Sequence, residues 1–330
     1  MERGPGLNPA RLPTHRCHAY DAVPVLLSRD RNLSNAAVQR VEVRLDCIVM
    51  AGARALFLRA SDDMSANRRT IVFIHGLWVT PLIWEPFSRF YENLGYRVLA
   101  PAWPGLEGSP ADLRREPSGM RAIGLVDVLD RYANVIRDLS EPPIIVGHCY
   151  GGLITLYLGD QGLGAAAVVI APLPPRGFLV RSLFSRLALL SVVIGSSGDR
   201  GTVAPTFRRF RRKFCNSLPD STARRIYDVH VVPAPRQLVL QAAFSGFRSR
   251  PATRGNLGGS RRSPLLVIGG GADLIIPGSL CRAIHRNQQV ESRNAEYKEF
   301  PGRSHLMIAE PGWQDVADYA LTWSRTHAWA

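Results

Sequence analysis

The chain has 330 residues, 46% of them hydrophobic, enough to bury a substantial core, and one large domain with an insertion is more economical than two independent ones. Five cysteines without paired spacing argue against a disulfide framework and for a reducing, cytoplasmic compartment, and no C-x-x-C or His-Glu-x-x-His spacing offers a metal site. The formal charge of +14 raises a nucleic-acid or membrane-surface role, but no nucleic-acid module is recognisable and the longest apolar stretch, near Leu187 to Ile194, is too short to span a bilayer.

The first six residues, Met1-Glu2-Arg3-Gly4-Pro5-Gly6, lack the apolar core of a signal peptide. A Pro/Arg-rich extension runs to about residue 40. Val41, Val43, Leu45, Cys47 and Val49 then alternate as in a half-buried strand, and Ala55 to Leu58 pairs with it. Ile71-Val72-Phe73-Ile74 is a buried strand running into His75-Gly76-Leu77-Trp78. Pro81 to Tyr91 reads as a helix with proline in its first turn, stopped by Gly95. Arg97 to Ala100 is the next strand, followed by the rigid loop Pro101-Ala102-Trp103-Pro104-Gly105, and Arg121 to Leu139 is a helix.

The most informative segment comes next. The apolar run Pro143-Ile144-Ile145-Val146 leads into Gly147-His148-Cys149-Tyr150-Gly151. A strand ending in glycine, reactive residue and glycine, then a helix, makes a turn so tight that only glycine fits beside the central side chain. Cys149 is therefore the candidate nucleophile, and His148 reads as a packing or supporting residue. Cys17, Cys47, Cys215 and Cys281 have no such context and read as small core residues.

Ala165 to Ile170 is the strand after the elbow helix. Between Pro172 and Pro264 the strand–helix alternation stops, and Leu183, Phe184, Leu187, Leu190 and Val193 make one apolar helical face. Phe207 to Phe214 interleaves phenylalanines with cations, as in an amphipathic helix with a solvated basic face. Alternation resumes with Leu265-Leu266-Val267-Ile268 and the loop Gly269 to Pro277. That loop carries Asp273, a candidate acid that can also serve as a cap for the following helix. Tyr297 to Phe300 reads as a last strand, and Pro301-Gly302-Arg303-Ser304-His305 places a histidine just before a terminal helix. Of eight histidines, only His305 has this setting.

The order of His75-Gly76, Cys149, Asp273 and His305 resembles an α/β-hydrolase-fold protein over roughly residues 41 to 328. The chain is most similar to lidded bacterial esterases and thioesterases, with cysteine in place of serine. The resemblance implies a mainly parallel sheet with helices on both faces, a core over 41–171 and 264–330, and a helical lid over 172–263. It also implies a triad of Cys149, Asp273 and His305, with oxyanion donors from the amides of Leu77 and Tyr150. Trp78 and Trp103 are expected at the substrate, His75 organises its loop, and no cofactor is expected.

The thiol narrows the chemistry. When a cysteine attacks an alkyl ester, the intermediate expels thiolate more readily than alkoxide and reverts, so thioesters, lactones and activated esters are the suitable donors. The acyl-enzyme is itself a thioester, open to hydrolysis or to acyl transfer with ring closure. Dieckmann-type cyclases carry their acid after the strand following the elbow, where this chain has Ala171-Pro172. The expected partner is a small-molecule acyl substrate. The basic lid would suit one linked to coenzyme A or an acidic carrier protein. A non-catalytic ligand-binding protein is the reading from another class.

Overall fold

The computed structural model describes residues 69–175, 201–244, 262–292 and 294–329. The N-terminal extension, the expected strands at 41–49 and 55–58, the apolar helical face at Leu183 to Val193, and Cys17 and Cys47 lie outside the described residues.

Among the described residues six strands form one sheet in the order β2-β1-β3-β4-β7-β8, every neighbour parallel: β1 (Thr70–Ile74), β2 (Arg97–Leu99), β3 (Ile144–His148), β4 (Ala166–Ile170), β7 (Leu265–Gly270) and β8 (Ala295–Phe300). Every residue of β3, β4 and β7 is buried, as parallel strands covered on both faces must be, whereas the edge strands β2 and β8 are partly exposed. This is the α/β-hydrolase fold, a parallel sheet flanked by helices.

The helices begin where local chemistry allows. The segment expected to be helical from Pro81 opens as a 3-10 turn, Pro81–Trp84, and becomes α1 only over Glu85–Asn93. Pro86 has no N–H to extend an α-ladder backward, which accounts for the break. After α2 (Pro110–Arg115), α3 spans Leu125–Arg137 rather than starting at Arg121, because the Asp127 carboxylate accepts from Gly124 N at 2.8 Å and sets the helix start there. Helix α4 (Tyr150–Asp160) is buried on almost every side.

Between β4 and β7 the described chain forms β5 (Thr202–Val203), α5 (Phe207–Lys213), α6 (Asp220–His230), β6 (Ala234–Pro235) and α7 (Arg236–Phe244), with β5 and β6 antiparallel. In α5 Phe210 is buried and stacks on Phe214, while Arg208 and Arg212 are exposed. The remaining helices among the described residues are α8 (Gly278–Ser292) and α9 (Trp313–His327). Among the described residues no helix is long and apolar enough to cross a membrane.

The topology decides where a site can form. From β1 the chain steps outward to β2 and returns to β3 on the other side of β1, so the order reverses between β1 and β3. Ligands of open parallel sheets bind at the carboxyl edge at such a reversal. The His75-Gly76 loop leaves β1 there, and Cys149 leaves β3.

Candidate active site

Cys149 occupies a conformation few residues accept, with φ 56° and ψ −117°, at a cost of about 1–3 kcal/mol. Three backbone bonds hold it there. Its N–H donates to Ile170 O at 3.0 Å, and its carbonyl accepts from Leu173 N at 2.9 Å and Leu153 N at 3.3 Å. The flanking glycines follow from close approach: a Cβ on Gly147 would lie 2.2 Å from Gly151 O, and one on Gly151 would lie 2.1 Å from Ile74 O. The helix can sit this near the sheet only without those carbons.

The loop after β1 lies against the same residue, since a Cβ on Gly76 would be 2.9 Å from the Cys149 Cβ. The amides of Leu77 and Tyr150 thus come from the two segments that meet at Cys149. Tyr150 is the first residue of α4, where N–H groups lack intrahelical acceptors.

His305 and Asp273 meet in the interior. His305 Nδ1 is 2.8 Å from Asp273 Oδ2, and both side chains are fully buried. The other carboxylate oxygen, Oδ1, accepts from Ile275 N at 2.7 Å and Ile276 N at 2.8 Å. Asp273 therefore does two jobs, one oxygen bracing its own loop and the other fixing the imidazole. Burial pulls the His305 pKa down, but the Asp273 carboxylate, then Cys149, outweigh it and hold His305 well above the usual histidine value.

The two neighbouring histidines behave oppositely. His148 donates from Nε2 to His305 O at 2.8 Å, its ring 4.9 Å from the His305 ring, and burial, then the His305 charge, lowers it to about 3. It supports the His305 loop. His75 bonds Gly76 O through Nδ1 at 3.0 Å and stacks on Trp103 at 4.6 Å, and burial lowers it to about 4. Among the described residues only His305 pairs with a buried carboxylate.

The tryptophans form the next ring outward. Trp78, at φ 65°, donates from Nε1 to Val203 O at 3.0 Å, accepts through its carbonyl from Val232 N at 2.9 Å, and meets Phe214 edge-on at 5.6 Å. Phe214 in turn lies 5.4 Å from the His305 ring. Trp103 is 5.5 Å from the ring of Tyr150. Trp78 is thus a joint between the β1 loop and the segment 201–244, a role its sequence position does not announce.

Cys149 is only 2% exposed and His305 is fully buried. Cys215 and Cys281 are buried thiols. Burial, then Glu310, pushes Cys215 up to about 12, and burial, then Asp273, pushes Cys281 well above the usual range. Asn216, Ser217 and Glu310, which sequence reading passes over, bond to the acid and histidine loops. They are polar residues in irregular chain, and no periodicity or motif marks them.

The profile of the alpha/beta hydrolase family matches residues 71–319. No curated protein matches the sequence significantly. Similar solved structures include a monoacylglycerol lipase from Paleococcus ferrophilus (20% identity, 78% of this chain and 95% of that one, TM-score 0.54). Tomato methylketone synthase I complexed with 2-tridecanone is another (16% identity, 79% and 99%, TM-score 0.55). A third is an extracellular alpha/beta-hydrolase from a Paenibacillus species (17% identity, 79% and 100%, TM-score 0.54). At these identities the likeness is one of fold.

Proposed function

The chain belongs to the alpha/beta hydrolase family and is an enzyme of hydrolase type; from that premise we propose that it is a cofactor-free acyl-transfer enzyme using Cys149, His305 and Asp273 on an activated acyl donor. The observation that carries this reading is the buried His305–Asp273 pair at 2.8 Å, whose histidine pKa is raised by the Asp273 carboxylate and by Cys149, the strained residue at the turn into α4.

The Cys149 sulfur attacks the acyl carbon with its proton already on His305, whose pKa Asp273 and Cys149 raise, and the amides of Leu77 and Tyr150 receive the oxyanion. His305 returns the proton to the departing thiol or alcohol, leaving an acyl-thioester on Cys149. Water then attacks as His305 takes its proton, and collapse of the second intermediate expels Cys149 while that proton stays on His305, which restores the starting pair. Asp273 keeps Nδ1 protonated, so Nε2 handles both transfers. The donor is a thioester, lactone or activated ester, because a thiol nucleophile needs a leaving group at least as good as itself. Exposed Arg208 and Arg212 on α5 suit an anionic carrier of the acyl group, such as coenzyme A or a carrier protein.

Incubation with a panel of thioesters and lactones tests this through intact mass and product analysis. Multiple turnover to free acid, with a transient acyl adduct on Cys149 and neither in Cys149→Ala, is the expected result. Cyclised product would redirect the reading to an intramolecular acyltransferase, and a stable adduct without turnover to a ligand-trapping protein.

A further inference from the structure

Both chain neighbours of His305 are bonded to one buried residue, Glu310. Glu310 is 2% exposed; its Oε1 accepts from Ser304 N at 3.2 Å, and its Oε2 from Ser304 Oγ at 3.1 Å. Its backbone N–H donates to Leu306 O at 3.2 Å, and Arg303 Nη1 stands 4.0 Å from Oε1. The residue before His305 is thus held by the side chain, and the residue after it by the backbone, of the same glutamate.

A further donor arrives from far along the chain. Ser217 Oγ donates to Glu310 Oε2 at 3.0 Å. Ser217 ends a short strap, Phe214 to Ser217, that is bonded to both catalytic loops. Phe214 O accepts from Leu306 N at 3.2 Å, and Asn216 Nδ2 donates to Ala272 O at 2.9 Å, next to Asp273. The Phe214 ring meets His305 edge-on. A buried carboxylate depends on its donors, and bonds to a charged acceptor are roughly twice as strong as neutral ones. Lifting the strap would remove a donor from Glu310 and the acceptor from Leu306 in one movement, loosening the chain on both sides of His305.

We propose that Glu310 is a positioning residue that couples seating of the strap at 214–217 to alignment of His305, so that the imidazole is held on Asp273 only while Ser217 is bonded to Glu310. This rests on the reading of His305 as the base. Because Cys149 and His305 are buried, an acyl donor reaches them by displacing a covering segment. The coupling lets the base form only when the strap has closed again, protecting the acyl-thioester from stray water.

The full-length protein tests this with Ser217→Ala, Glu310→Gln and the double variant, using Asp273→Asn as reference. Two readouts are needed: solvent exchange of the downfield proton of His305 Nδ1 by NMR, and kcat and KM on a thioester. Asp273→Asn should remove the resonance. Ser217→Ala leaves every Ser304 contact intact, yet should speed exchange and lower kcat by about tenfold with KM little changed, as for loss of one bond to a charged group. Glu310→Gln should do at least as much, and the double variant no more than Glu310→Gln alone, since both act through one contact. Wild-type exchange and kcat in Ser217→Ala and Glu310→Gln, with the resonance still abolished by Asp273→Asn, would overturn the coupling. A resonance that survives Asp273→Asn would instead remove the base assignment beneath it, a distinguishable failure.

Discussion

Asp273→Asn separates the two jobs of that carboxylate. Oδ1 accepts two backbone N–H groups, from Ile275 at 2.7 Å and Ile276 at 2.8 Å, and Oδ2 faces His305 Nδ1 at 2.8 Å. Asparagine offers one oxygen and one NH₂. If the oxygen keeps the two backbone donors, the loop survives, but the NH₂ confronts Nδ1 and the imidazole must carry its proton on Nε2, where it can no longer accept one from the thiol. The opposite rotamer restores the tautomer but leaves two buried donors unsatisfied, at about 1–3 kcal/mol each, or roughly 2–6 kcal/mol together. The loop therefore chooses the orientation, and it chooses the one that disables the base. In serine triads the same change costs about 10⁴ in kcat. A thiol–imidazole pair leans less on the acid, so kcat here should fall about 10²–10³-fold while the thermal midpoint stays near wild type. Asp273→Ala orphans both N–H groups as well as the imidazole, so it should also lower the midpoint by several degrees. Thioester turnover followed by thiol release, with thermal melts on the same samples, gives both numbers. An asparagine variant retaining more than a third of wild-type kcat, or an alanine variant melting with the asparagine one, would refute the division of labour.

Cys149→Ser keeps the turn but loses the thiol, so thioester turnover should fall most while slow hydrolysis of simple esters appears; equal activity on every donor class would make the thiol incidental. Iodoacetamide should label Cys149 before Cys215 or Cys281, whose burial holds them as thiols, and peptide mapping checks the order. Gly151→Ala would place a carbon 2.1 Å from the backbone oxygen of Ile74, which cannot swing aside, so a loss of about 1–3 kcal/mol and of most turnover is expected from melts and kinetics. His75 and His148 are lowered from 6.5 to about 4 and about 3, so the unfolded chain binds protons first. Their contribution is full above pH 6.5 and is lost as pH falls toward 4 and 3, at up to about 1.4 kcal/mol per pH unit each. His305 has the opposite sign: its raised value stabilises below pH 6.5, and that is lost as pH rises through its folded pKa. Urea midpoints from pH 7 to 4.5 should fall, and more shallowly in His148→Gln; identical slopes would disprove the assignment for His148.

The sheet and the candidate nucleophile were legible because local constraints write them. Ile71 to Ile74, Ile144 to Val146, Ala166 to Ile170 and Leu265 to Ile268 are continuous apolar runs because strands covered on both faces have no polar side to show. Gly147 and Gly151 bracket Cys149 because the turn leaves no room for a Cβ. Helix starts were less legible, since the missing N–H of Pro86 and a single hydrogen bond to Asp127 shift them by a few residues.

The sequence alone thus determined which loops carry Cys149, Asp273 and His305 and in what order, because spacing and backbone demands are properties of the chain read locally. Only the tertiary structure decided that Asp273 divides its oxygens between loop and imidazole, that His148 supports the carbonyl of His305, that Trp78 joins the β1 loop to segment 201–244, and that Ser217 and Glu310 clasp the histidine loop from 93 residues apart. Hydrogen bonds and ring contacts of that kind depend on distances in space, and a serine or glutamate in irregular chain carries no periodicity from which its partner can be read.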